Sequence, residues 1–267
     1  MSKFSKEKES SIIEDYKKGL NTVEIAKKWN TYNTSIRRVL MRYNIPLRST
    51  QKVQRLCKHN PFKSNDELSD YFLGLLLTDG NISKKSGTKY TYSISLGLNE
   101  RDGYIVEKFR DFVSPSLKVS KVLQKINSSY MYSVAFVNDD AECWLRRKGN
   151  FYNKSYNCKI YTPINWNILR GIFDGDGGFH PSSGHLDFFI CGKSLDFIKQ
   201  IKYFLDKYNI TSYIRERTNN YGNKLYYIEV YKIKDVLFIG SMLYFNACIF
   251  IKRKYNKWLS FYESRSV

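Results

Sequence analysis

The chain is poor in the residues from which disulfide frameworks, zinc cages and histidine centres are built. Of its 267 residues only five are cysteine, an odd number with no C-x-x-C pair among Cys57, Cys143, Cys158, Cys191 and Cys248. Neither a disulfide framework nor a zinc cage is indicated, and a reducing compartment fits. Histidine is scarcer still. His59, His180 and His185 have no spacing that suits a metal site or a histidine-based nuclease. No apolar run reaches the roughly 20 residues that a spanning helix needs; the segment 236–251 comes nearest, and Asn246 interrupts it. The start of the chain, MSKFSKEKESS, has no signal-peptide core. The expectation is a protein that is neither secreted nor membrane-borne, at work in a bacterial or phage-infected cytoplasm or an organellar matrix.

Acids are also in short supply. There are 25 Asp and Glu against 44 Lys and Arg, a formal net charge of +19, in a chain that also holds 22 Tyr and 17 Phe. Such an excess calls for a polyanionic partner, nucleic acid ahead of membrane. The length suffices for one large or two smaller cores.

Two of the acids stand in a repeated setting. FLGLLLTDG (residues 72–80) and LRGIFDGDG (169–177) share an apolar start, Gly at the third place (Gly74, Gly171), an apolar middle and a closing Asp-Gly. The apolar spacing suits helices buried nearly all round. Gly in a helix costs about 1 kcal/mol relative to Ala, which close backbone contact between two such helices can recover. That contact would bring Asp79 and Asp176 together at the helix exits. Neighbouring carboxylates repel unless a proton or a divalent cation lies between them, and hard oxygen ligands favour Mg²⁺ over zinc.

The paired motif resembles that of single-chain LAGLIDADG homing endonucleases. The resemblance implies an α+β fold with two pseudo-symmetric αββαββα repeats, residues 67–164 and 165–267, whose motif helices form their interface and whose strands form a DNA-binding saddle. It also implies that Asp79 and Asp176, at the eighth motif position, bind catalytic metal. The peptide carbonyls of Thr78 and Gly175 would add metal contacts. A catalytic basic residue beside each scissile phosphate maps to Lys154 and Lys254, with Lys252 a rival of the latter, and Asn99 and Lys193 map to water-positioning side chains. At the sixth place Leu77 replaces the commoner acid that Asp174 keeps. The cofactor implied is Mg²⁺, with Mn²⁺ substituting and Ca²⁺ binding without supporting cleavage. On the saddle the basic or polar candidates for DNA contact are Lys89, Ser93, Ser95, Lys121, Lys125, Arg215, Arg217, Asn220, Asn223 and Lys224.

Ahead of the repeats, residues 1–47 read as three helices, 6–18, 23–29 and 34–42. The stretch GLNTVEIAKKWNTYNTSIRRVLMRYNIPLRS resembles helix-turn-helix DNA-binding domains. That likeness puts Thr34, Ser35, Arg37 and Arg38 on a helix entering the major groove. Residues 48–66 read as a basic linker. Beyond each motif the period changes from helical to alternating, predicting hairpins at 81–98, 117–137, 178–191 and 211–231 separated by helices. The expected activity is metal-dependent, site-specific double-strand DNA cleavage by a monomer on a long asymmetric target, since the halves differ in sequence. A non-cleaving transcriptional regulator and an RNA-binding maturase acting on a group I intron are the alternatives on the same scaffold.

Overall fold

Apolar spacing accounts for the three helices at the start of the chain, with side-chain caps from Ser5 and Asn21 on the first two. In the computed structural model, which describes residues 4–18, 20–45, 47, 57, 59–84, 92–124, 128–182 and 184–265, they are α1 (Lys6–Lys17), α2 (Thr22–Lys28) and α3 (Asn33–Arg42). Asn21 opens α2 with a capping box: its side chain accepts from the amides of Val23 and Glu24, and Glu24 answers the Asn21 amide. Ile12, Ile25, Ile36 and Leu40 form the centre of a small core. Two acids of α1 tie the other helices down. Asp15 accepts from Lys28 at 2.7 Å and from the Trp29 indole at 2.9 Å, and Glu9 accepts from Arg42 and from the Tyr43 hydroxyl. On α3, Thr34, Arg37 and Arg38 are exposed and Ser35 is half-buried.

The chain divides into two compact units, Met1–Gln54 and Arg55–Val267. The second runs α4 (Glu67–Thr78), β1 (Gly80–Lys84), β2 (Tyr92–Asn99), α5 (Gly103–Val113), β3 (Ser120–Gln124), β4 (Ser129–Phe136) and α6 (Asp139–Lys148), then the short α7 (Lys154–Asn157). It continues with α8 (Trp166–Asp176), β5 (Gly177–Ser182), β6 (His185–Gly192), α9 (Leu195–Asp206), β7 (Tyr213–Thr218), β8 (Lys224–Val230), α10 (Ile233–Tyr244) and α11 (Lys252–Glu263). The order αββαββα thus occurs twice. Each half has an antiparallel four-stranded sheet, β1-β2-β4-β3 and β5-β6-β8-β7. About half of the stretch read as a linker, 48–66, lies outside the described residues, and its far end joins this unit's core. Cys57 is buried there, and Phe62 stacks on Trp144 with ring centroids 5.3 Å apart.

The pairing of α4 with α8 organises this unit. A Cβ on Gly74 would stand 2.1 Å from the Ile168 carbonyl oxygen, and one on Gly171 would stand 2.0 Å from that of Tyr71. The two glycines therefore admit each other's helix reciprocally, and no side chain could be accommodated without parting the backbones. Polar links cross the same seam. Tyr71 donates to Asp174 Oδ2 at 2.8 Å, and the fully buried Arg170 bonds Glu67 of α4 and the Leu243 carbonyl.

Cross-strand register sorts the sheet residues onto two faces. In β2, Ile94, Leu96 and Leu98 are buried toward the helices, so Ser93, Ser95 and Asn99 face outward. In the second sheet Ile190 pairs with Ile228, which pairs with Ile214, so Arg215 and Arg217 share the outer face with Cys191 and Tyr227. Two of the expected base-reading residues fall on the opposite face. Lys121 pairs with Tyr132, itself opposite the buried Leu98, and its ammonium lies 4.2 Å from the Tyr130 ring centroid. Lys224 pairs with Thr218 and makes an ion pair with Glu216 at 2.8 Å. Asn220 and Asn223 lie in the β7–β8 turn, which the Asn219 side chain holds by accepting the amides of Tyr221 and Asn223. Lys89 and Lys125 lie outside the described residues.

Candidate active site

Both motif helices end at their acid. Asp79 caps α4, Asp176 is the last residue of α8, and a strand leaves at the following glycine in each case. The two ends converge: a Cβ on Gly175 would meet Thr78 Oγ1 at 1.9 Å and Asp79 Oδ2 at 3.0 Å. Two cavities flank the junction. One, of about 200 Å³, is lined by Asp79 together with Gly175 of the other motif, and by Asn99, Asp102 and Arg253. The second, of about 260 Å³, is lined by Asp176 together with Thr78 of the other motif, and by Lys154, Cys191 and Lys193. Each chamber thus takes its acid from one helix and the residue before the acid from its partner. By strand register Asn99 and Lys193 occupy equivalent places in the two halves, each three residues beyond the partner of the glycine that follows the acid.

The lysines are placed alike. Lys154 donates to the carbonyls of Leu76 and Thr78, and Lys254 to those of Phe173, Asp174 and Gly177 at 2.6–2.7 Å. Leu76 and Phe173 are the same motif position. Each ammonium therefore binds main-chain carbonyls at the exit of its motif helix, where positive charge is favoured. Lys252 instead begins α11, its amide donating to the Tyr104 hydroxyl.

Burial and mutual repulsion govern the charges here. Burial, then the neighbouring Asp79, pushes the Asp176 carboxyl up to about 6 against the pull of Lys154 and Lys254. Burial also raises Asp79, opposed by the same two lysines. Lys254 is pulled down to about 8 and Lys154 is lowered, both mainly by burial. The Asp174 carboxyl, raised to about 6 by burial, is taken up by Tyr71 and the Ile251 amide. Cys158 and Cys191 beside Asp176 are pushed up to about 12 and about 11 by burial, so both stay as thiols at neutral pH.

The described residues hold no cluster of three or more His, Cys, Asp or Glu suited to a metal. What the centre offers is a pair of destabilised carboxylates with carbonyls beside them, an all-oxygen set that fits Mg²⁺ or Mn²⁺ completed by water and phosphate oxygens. The Thr78 carbonyl already accepts from Lys154, which leaves one lone pair. Motif reading missed a further feature. Arg253 of α11 forms a two-pronged ion pair with the buried Asp102, its Nε and terminal nitrogen at 2.9–3.1 Å, at the wall of the Asp79 cavity. No local pattern joins residues so far apart in sequence.

Fold and centre together define a two-repeat α+β scaffold with one acid at the end of each of two paired helices. Residues 165–242 match the family model described as a LAGLIDADG-like domain. Among solved structures, the homing endonuclease I-WcaI bound to its DNA recognition sequence is 16% identical, with a TM-score of 0.51 over 73% of this chain and 90% of its own. The LAGLIDADG meganuclease I-AabMI bound to uncleaved DNA is 12% identical, with a TM-score of 0.49 over 78% and 91%. The N-terminal LAGLIDADG domain of DUF199/WhiA is 17% identical, with a TM-score of 0.45 over 67% and 82%. No curated protein matches the sequence.

Proposed function

We propose that the chain is a divalent-metal-dependent endonuclease that cuts both strands of a long, asymmetric DNA site. The carrying observation is the convergence of Asp79 and Asp176 at the ends of helices that touch through glycine. The LAGLIDADG-like domain and the likeness to a DNA-bound homing endonuclease support the same reading.

Bound Mg²⁺ would neutralise phosphate charge, activate water and stabilise the leaving 3′ oxygen. Asp79 and Asp176 would hold it, aided by the carbonyls of Thr78 and Gly175. Lys154 and Lys254 fix the helix ends and supply positive charge beside the acids, where a phosphate would sit. Ser93, Ser95, Arg215 and Arg217, on outward sheet faces, would contact the duplex. In the first unit, Thr34, Arg37 and Arg38 of α3 would add a second contact, giving a longer target. Among the described residues no helix is long and apolar enough to cross a membrane.

The direct test exposes the chain to a genomic or randomised DNA library with Mg²⁺, Mn²⁺, Ca²⁺ or chelator and sequences the ends produced. Discrete double-strand ends with Mg²⁺ or Mn²⁺ are expected, with binding but no ends in Ca²⁺. Asp79→Asn or Asp176→Asn should lower cleavage at least about a hundredfold while sparing binding. Sequence-specific binding without ends under every metal condition would overturn the nuclease reading in favour of a regulator.

A further inference from the structure

Three neighbouring cavities share lining residues. The Asp176 chamber shares Cys158 and Ser194 with a chamber of about 510 Å³, which shares Lys159 and Asp196 with the largest, of about 560 Å³. The series runs from the acid, past residues 150–164 at the end of the first repeat, to the side of α9. One wall is clipped to the other: the Gln200 side chain accepts from the Ile160 amide at 2.9 Å and donates to its carbonyl at 2.7 Å.

The lining is mainly cationic and aromatic, with one acid, Asp196, at the junction of the two outer chambers. Lys159, Lys199 and Lys207 border the largest chamber, and none is ion-paired with an acid among the described residues. Tyr156, Tyr161 and Tyr203 line the chambers at 54%, 56% and 66% exposure. The ammonium groups of Lys193 and Lys207 stand 5.1 Å and 4.7 Å from the rings of Tyr156 and Tyr203.

The first half provides an internal comparison. Matching the buried positions Ile105, Val106, Phe109 and Val113 of α5 to Phe197, Ile198, Ile201 and Leu205 of α9 sets Glu107 and Asp111 where α9 carries Lys199 and Tyr203. Shared fold therefore does not require a basic, aromatic surface here. Spaced cations take phosphates, and exposed rings take the faces of unpaired bases, which a duplex keeps covered.

We propose that the two outer chambers, between residues 150–164 and α9, are a docking track for single-stranded nucleic acid, separate from the outward sheet faces. It goes beyond the cleavage reading, since a strand would bind whether or not the acids cut.

The test uses the full chain and labelled oligo(dT) and oligo(rU) of about 15 nucleotides, read by fluorescence anisotropy, with a duplex for comparison. Lys199→Glu with Tyr203→Asp gives α9 the residues of its counterpart at two exposed positions. Single-strand affinity should fall about tenfold or more, with duplex affinity and melting temperature nearly unchanged. Lys159→Gln, off the helix, should weaken single-strand binding by roughly two- to fourfold and guards against a folding artefact in the double variant. Comparing the effects on the two polymers identifies the ligand as RNA, DNA or either. Unchanged single-strand affinity in both variants, or equal weakening for single strands and duplex, would overturn the proposal.

Discussion

Asp176 carries opposing demands at the level of one residue. Its carboxyl, held up to about 6 against an ordinary value near 4, binds a proton more readily in the folded chain than in the unfolded one. The stability linked to it is therefore full below about pH 4 and lost as pH rises through 6. In chelator at pH 7, Asp176→Asn should raise the melting temperature by a few degrees, about 1–3 kcal/mol, and the gain should shrink toward pH 5. Differential scanning fluorimetry across pH reads both. Adding Mg²⁺ or Mn²⁺ should reverse the order at pH 7 by stabilising the parent and not the variant. A variant no more stable than the parent in chelator would show that Lys154 and Lys254 fully compensate the acids.

The strongest test among the elements is the crossing of α4 and α8. Gly74→Ala or Gly171→Ala drives a methyl into a backbone carbonyl rather than a yielding side chain. Each should cost at least about 3 kcal/mol, read by urea unfolding. Arg170→Ala should cost about 2–4 kcal/mol, mainly by emptying a fully buried site, since Glu67 is partly exposed and keeps the Cys248 amide, while Arg170→Met should cost less. This helix pair was legible in the sequence because its requirement is local: the same small residue at the same place in two apolar runs. The strands were legible only in part. Alternation tells which residues share a face, but pairing with distant strands decides which face meets the helices. Lys121 and Lys224 therefore read as base contacts and lie on the helix side. The caps formed by Lys154 and Lys254, and the Arg253–Asp102 ion pair, join segments so distant that no spacing announces them.

At the level of the whole molecule, the two units have separate cores. A chain beginning at Arg55 should keep the acid pair and the second unit's cooperative unfolding. If α3 reaches DNA, the shortened chain should bind its target more weakly and with a shallower dependence on salt, by about one unit of log–log slope for each phosphate that α3 would have neutralised. Filter binding across salt concentrations would measure this, and an unchanged slope would remove α3 from the footprint. Within the second unit the spacing between the acids is fixed by main chain meeting main chain at Gly74 and Gly171, not by any side chain of the sheets. Residues on the outward sheet faces can therefore be exchanged without disturbing the geometry of the acid pair. One fixed centre is thereby compatible with many different surfaces.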